Sequence, residues 1–126
     1  MQYLLMCCFD ESRWSSLPES ERAEVMRDYG QFHAAIVESG HYRGGAKLCA
    51  SSAATTVRQK SGKAVITDGP FAETKEQLGG YHLVECSDLD EALSIAMRIP
   101  TLRVGGTVEV RPVADDEPTR RALGRA

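Results

Sequence analysis

Several of the marks of specialised proteins are scarce in this sequence. Only 6% of its 126 residues are aromatic, with a single tryptophan. Charge has no dominant sign: 15 Lys+Arg face 18 Asp+Glu, a net of -3, which leaves no broad footprint for nucleic acid or an anionic membrane. The longest apolar run, Tyr3 to Phe9, falls far short of the roughly 20 residues that cross a bilayer. It also lacks a basic leader and a small-residue cleavage site, so the expected location is cytoplasmic, with no membrane partner. Cysteine is present four times but never in C-x-x-C spacing, and no H-x-x-x-H occurs. Cys7 and Cys8 are adjacent in a predicted strand and point to opposite faces, so no metal site is expected. No phosphate loop or nucleophile elbow appears, and no cofactor is implied.

What is present suits one globular domain of ordinary composition, with 26% charged and 42% hydrophobic residues. Residues 1–114 read as that domain and 115–126 as a polar tail, mobile or laid on a partner subunit. Gln2 to Phe9 has the length and apolarity of a buried strand ended by Asp10-Glu11-Ser12. Ser16-Leu17-Pro18-Glu19 carries a capping-box spacing, and Val25, Met26, Tyr29, Phe32, Ile36 and Val37 then recur at helical spacing up to Gly40. His33 falls on the same stripe. Ala46 to Cys49, Thr55 to Gln59 and Lys63 to Thr67 are β-capable, and Ser61-Gly62 predicts a hairpin turn. Thr74 to Leu78 suits one helical turn, Tyr81 to Cys86 a strand and Asp88 the cap of a second helix ended by Pro100. Thr107 to Val113 is the last strand, with Val108 and Val110 on one face and Glu109 and Arg111 on the other.

That order predicts an α+β fold, a ferredoxin-like βαββαβ plan with an added β-hairpin. Two helices cover only one face of such a sheet. The uncovered face predicts a homodimer closed into an α/β barrel. Charges enclosed there must be paired or solvated, which assigns Glu109 and Arg111 to an ion-paired network or a wet cavity.

The most distinctive stretch is Thr67-Asp68-Gly69-Pro70-Phe71-Ala72-Glu73-Thr74-Lys75-Glu76-Gln77-Leu78-Gly79-Gly80-Tyr81. It resembles the signature of the DGPF branch of the YCII-related (YciI-like) proteins. Further matches lie at Thr55-Thr56-Val57-Arg58, Asp90-Glu91-Ala92, Arg98-Ile99-Pro100 and Glu109-Val110-Arg111-Pro112. The resemblance implies the dimeric barrel; the family's biochemical function is unsettled. A His/Asp pair has been suggested as catalytic in the wider family, its histidine on the first helix. His33 lies on that helix but about one turn short, Tyr29 takes the equivalent place, and Asp68 is the substitute for the aspartate.

The motif has its own physical logic. Pro70 fixes the direction of the chain, Gly69 permits a tight corner, and Phe71 reads as an anchor into the core. Asp68 and His33 are the candidate acid/base residues. Arg58, Glu73, Lys75, Glu76 and Tyr29 are the candidate binding residues for a small polar ligand. His82 shares a strand face with Val84 and Cys86 and reads as a packed residue. Two functions fit: a small-molecule-binding protein or enzyme with acid/base residues near the turn, or a non-catalytic dimeric accessory or regulatory partner. Family analogy with companions of sigma factors suggests the second.

Overall fold

The computed structural model describes residues 1–125. Its elements run β1 (Gln2–Phe9), α1 (Glu11–Ser16), α2 (Glu19–Glu38), β2 (Tyr42–Lys47), β3 (Thr55–Lys60), β4 (Lys63–Asp68), β5 (Gln77–Glu85), α3 (Leu89–Ala96), β6 (Thr107–Pro112) and α4 (Glu117–Ala122). Short 3-10 turns occupy Ser51–Ala53 and Pro100–Val104. The main sheet is antiparallel, ordered β2-β5-β1-β6, while β3 and β4 form a separate two-stranded sheet. This is a mixed α+β fold in which a hairpin interrupts a βαββαβ succession.

Strand alternation decides which face is covered. Tyr3, Leu5 and Cys7 of β1 and Val84 of β5 are buried with Phe32 and Ile36 of α2 and with Ala92, Ile95 and Ala96 of α3. Val108 and Val110 pack against the same cluster, opposite Cys7 and Leu5. Glu109 and Arg111 point the other way, exposed and ion-paired to each other. That second face also carries Leu4, Met6 and Cys8, half-buried, and the exposed Leu78 and Tyr81.

Several local expectations are corrected. Asp10 does more than end β1: its carboxylate accepts the Ser12 and Arg13 N–H groups at 3.0 and 3.3 Å and so caps α1. Ser16, expected to open a capping box, is the last residue of α1, its hydroxyl on the Arg13 carbonyl at 2.7 Å. The buried stripe of α2 is narrower than its periodicity, with Val25, Phe32 and Ile36 inside and Met26, Val37 and His33 outside. Residues 74–76 form no helical turn, because Gln77 and Leu78 pair with Phe9 and Cys8 and draw the chain into β5. Beyond β6, Asp116 accepts the Thr119 N–H at 2.8 Å and caps α4, so this segment includes a helix.

Other expectations hold in the folded chain. Gly40 follows α2 at φ +83. Ser61 and Gly62 both have positive φ, 53 and 78, as a type I′ hairpin turn requires. Asp88 caps α3 by accepting the Glu91 N–H at 2.9 Å.

Candidate functional site

The helix-covered face of the sheet has a weakly filled region, and register explains it. Two cross-strand rows run side by side: Val110, Leu5, His82 and Gly45, then Val108, Cys7, Gly80 and Lys47. Side chains fill the β6–β1 end of both rows. Toward β2 the glycines leave a hollow of about 160 Å³. Its lining is predominantly apolar. Phe9, Trp14 and Met26 form its wall, Gly79 and Gly80 contribute backbone, and Tyr29, His82 and Cys7 supply polar atoms. Ala46, Lys47 and Thr101 complete it. A Cβ on Gly79 would lie 2.1 Å from the Phe9 ring, so this glycine makes room for that aromatic wall.

Three polar groups are linked across the hollow. The Tyr29 hydroxyl hydrogen-bonds His82 Nε2 and lies 3.5 Å from Cys7 Sγ. The Tyr29 and His82 rings stack at 5.5 Å between centroids, and Phe32 meets both edge-on. Burial raises Tyr29 well above the ordinary phenol range and raises the Cys7 thiol. Burial, reinforced by His33, lowers the basicity of His82. All three groups are therefore neutral at pH 7; the imidazole tautomer sets which of Tyr29 and His82 donates, and in the Cys7–Tyr29 contact either group can be the donor. Nδ1 of His82 is buried without a hydrogen-bond partner, a costly arrangement beside an apolar hollow.

The pH dependence of stability follows. An unfolded histidine takes its proton near pH 6.5, whereas folded His82 does so only at lower pH. Between those values the unfolded chain binds more protons, so stability falls as pH drops below about 6.5 and levels off once the folded-state value is passed. The Tm difference between wild type and His82→Gln should shrink in that direction. Thermal melts from about pH 7 to pH 5 measure it; parallel Tm curves exclude the assignment.

The family model for the YCII-related domain matches residues 1–116. The chain belongs to the YCII-related family. An uncharacterised protein of Rhizobium meliloti (strain 1021), R00369, is 42% identical over 115 residues, covering 90% of this chain and 93% of that protein. Among solved structures, the chain is similar to 5-chloro-2-hydroxyhydroquinone dehydrochlorinase of Burkholderia phenoliruptrix AC1100, solved with 2,5-dihydroxybenzoquinone. The TM-score is 0.54 at 12% identity, over 94% of this chain and 98% of that one. At that identity the likeness is one of fold.

In this YCII-related protein the signature stretch divides between two places. Gly79 and Gly80 shape the hollow, while Asp68 to Glu76 form a corner outside its lining. The corner is strapped to β3 and the residue before it: Gly69 N–H donates to the Ala54 carbonyl at 2.7 Å, Thr56 Oγ1 to the Gly69 carbonyl at 2.7 Å, and Arg58 to the Phe71 carbonyl at 2.6 Å. Gly69 has φ +98, the left-handed turn its position requires. Asp68, Glu73 and Lys75 are exposed, and Glu76 accepts the Thr107 hydroxyl at 3.2 Å. Phe71, expected as a core anchor, is 77% exposed.

Of the sequence candidates, Tyr29 alone lines the hollow. His33 is exposed on α2, its ring edge-on to Tyr42 at 4.8 Å. The residues not foreseen as a site are His82, Cys7, Lys47, Phe9 and Trp14. Alternation had already placed His82 with Val84; the missing information was the register that puts glycines beside it. Among the described residues no group of three His, Cys, Asp or Glu side chains is arranged to hold a metal ion. No helix of the described residues is long and apolar enough to cross a membrane.

Proposed function

We propose that this YCII-related protein binds a small molecule in the hollow beside His82 and moves a proton on it through the Tyr29–His82 pair. The observation that carries this reading is a linked Cys7–Tyr29–His82 set in a mostly apolar pocket. A neutral His82 accepts the Tyr29 proton through Nε2 as the Tyr29 oxygen accepts one from the bound molecule; the return path restores both groups. Burial makes the imidazolium short-lived, which favours handing the proton back. A dehydrochlorinase with a similar fold agrees with proton-transfer chemistry on such a scaffold.

A thermal-shift screen of small acids, phenols and ketones on wild type, Tyr29→Phe and His82→Gln tests it. A ligand at about 100 times its Kd stabilises by roughly 2.7 kcal/mol. That stabilisation should fall sharply in both variants. A ligand shift that survives both substitutions unchanged removes these residues from the site.

The homodimer belongs to the same proposal. Leu4, Met6, Cys8 and Tyr81 share the face that no helix covers. Val57 and Ile66, directly paired on the hairpin, are 67% and 70% exposed. An isolated two-stranded hairpin is marginal in water, so a second copy laid on both surfaces explains why this one holds apolar groups outward. Asp68, Glu73, Lys75 and Glu76 then become groups at or near the contact. Light scattering should give about twice the 13.8 kDa chain mass for wild type. Met6→Lys should give the single-chain mass; a wild-type monomer at micromolar concentration overturns the pairing. A monomer that instead binds another protein through Val57, Ile66 and Phe71 would support the accessory-partner reading.

A further inference from the structure

We infer that the hollow takes one planar aromatic ring bearing a single oxyanion, an aryl carboxylate or a phenolate, with the ring against Phe9 and Trp14 and the oxyanion at Lys47. This rests on the reading of the hollow as a ligand site and narrows it to a ligand class.

Size, shape and charge point the same way. A space of about 160 Å³ is close to the ~150 Å³ of an apolar cavity that admits one benzene molecule. A nucleotide or a fused polycycle would extend beyond it into solvent. The walls are aromatic and thioether: Phe9 and Trp14 meet at 6.0 Å between centroids with planes 52° apart, and Met26 lies on the same lining. Such surfaces favour a ring over a flexible chain of equal volume, because stacking and sulfur contacts add to plain burial. The Gly79–Gly80 backbone presents no side chain to break a flat surface. With His82 neutral, Lys47 is the one lining residue with a standing charge. Register places Lys47 opposite Gly80 on the covered face, and it is solvent-exposed. One negative group is matched there, whereas a dianion would carry uncompensated charge against apolar walls.

The single tryptophan provides the readout. Full-length wild type and Lys47→Met are titrated with benzoate, 4-nitrophenolate, cyclohexanecarboxylate and inorganic phosphate, following the Trp14 indole N–H resonance. At least one aryl anion should shift that resonance saturably, about tenfold or more tighter than cyclohexanecarboxylate, and Lys47→Met should weaken it by about tenfold. Which aryl anion binds more tightly tells carboxylate from phenolate. Phosphate should leave the resonance in place. Equal binding of cyclohexanecarboxylate, preference for phosphate, or no effect of Lys47→Met overturns the ligand class and leaves the pocket reading standing. If no probe shifts Trp14, the class falls. If in addition no ligand in the thermal-shift screen depends on Tyr29 or His82, the pocket reading falls with it.

Discussion

Gly79→Ala is expected to lose both stability and ligand response. The new methyl group would be placed 2.1 Å from Cε1 of Phe9, inside any tolerable contact, and 2.8 Å from Cζ. Phe9 must swing away or β5 must shift against β1 at the irregularity between Cys7 and Cys8. Overpacking of this kind costs about 1–3 kcal/mol. Phe9 is also a wall of the hollow, so a displaced ring reshapes the pocket. Gly44→Ala is the control, because nothing lies within 4 Å of its added Cβ. Urea unfolding should separate the two variants, and pairing Gly79→Ala with Phe9→Leu should recover part of the loss. Equal midpoints for Gly79→Ala and wild type would contradict the packing argument. The glycine pair of the family signature thus acquires a physical purpose at its first member, a place for an aromatic ring.

The largest loss of stability is expected from Ile36→Ala. Ile36 is fully buried between α2 and the sheet, in one cluster with Leu5, Val84 and Ile95. Removing three of its side-chain carbons forfeits their burial and leaves a cavity that neighbours on three elements cannot all close, at a cost of about 2–5 kcal/mol. Its neighbour Val37 is 50% exposed, and Val37→Ala should stay within about 0.5 kcal/mol. Chemical denaturation with unchanged slope and a lowered midpoint for Ile36→Ala alone is the expected pattern. Equal effects at the two positions would mean that the helix does not dock by this face.

The contrast between Ile36 and Val37 shows how far sequence reasoning reaches. Helical spacing put both on one stripe, with Met26, Tyr29 and His33. The width of the buried strip depends on how closely the sheet approaches the helix, and β1 and β5 meet α2 along a line narrow enough to leave Met26, His33 and Val37 outside. His33 was attractive because a histidine among apolar residues suggests a protected acid or base. The histidine enclosed is His82, where alternation suggested only packing. Periodicity fixes the face a side chain takes, and tertiary packing alone fixes its neighbours.

Local chemistry by itself determined the alternation of β1, β5 and β6, the Ser61-Gly62 turn, the stop at Gly40, the Asp88 cap and the family signature. Each depends on residues within a few positions of one another, where backbone preference and side-chain period decide. The hollow was decided only in three dimensions. It needs the register that sets Cys7 against Gly80 and Lys47, and Leu5 against His82 and Gly45, together with Tyr29 arriving from α2. Those residues are separated by up to about eighty positions, and pairing between distant strands is fixed by the packing of the whole core rather than by any local pattern.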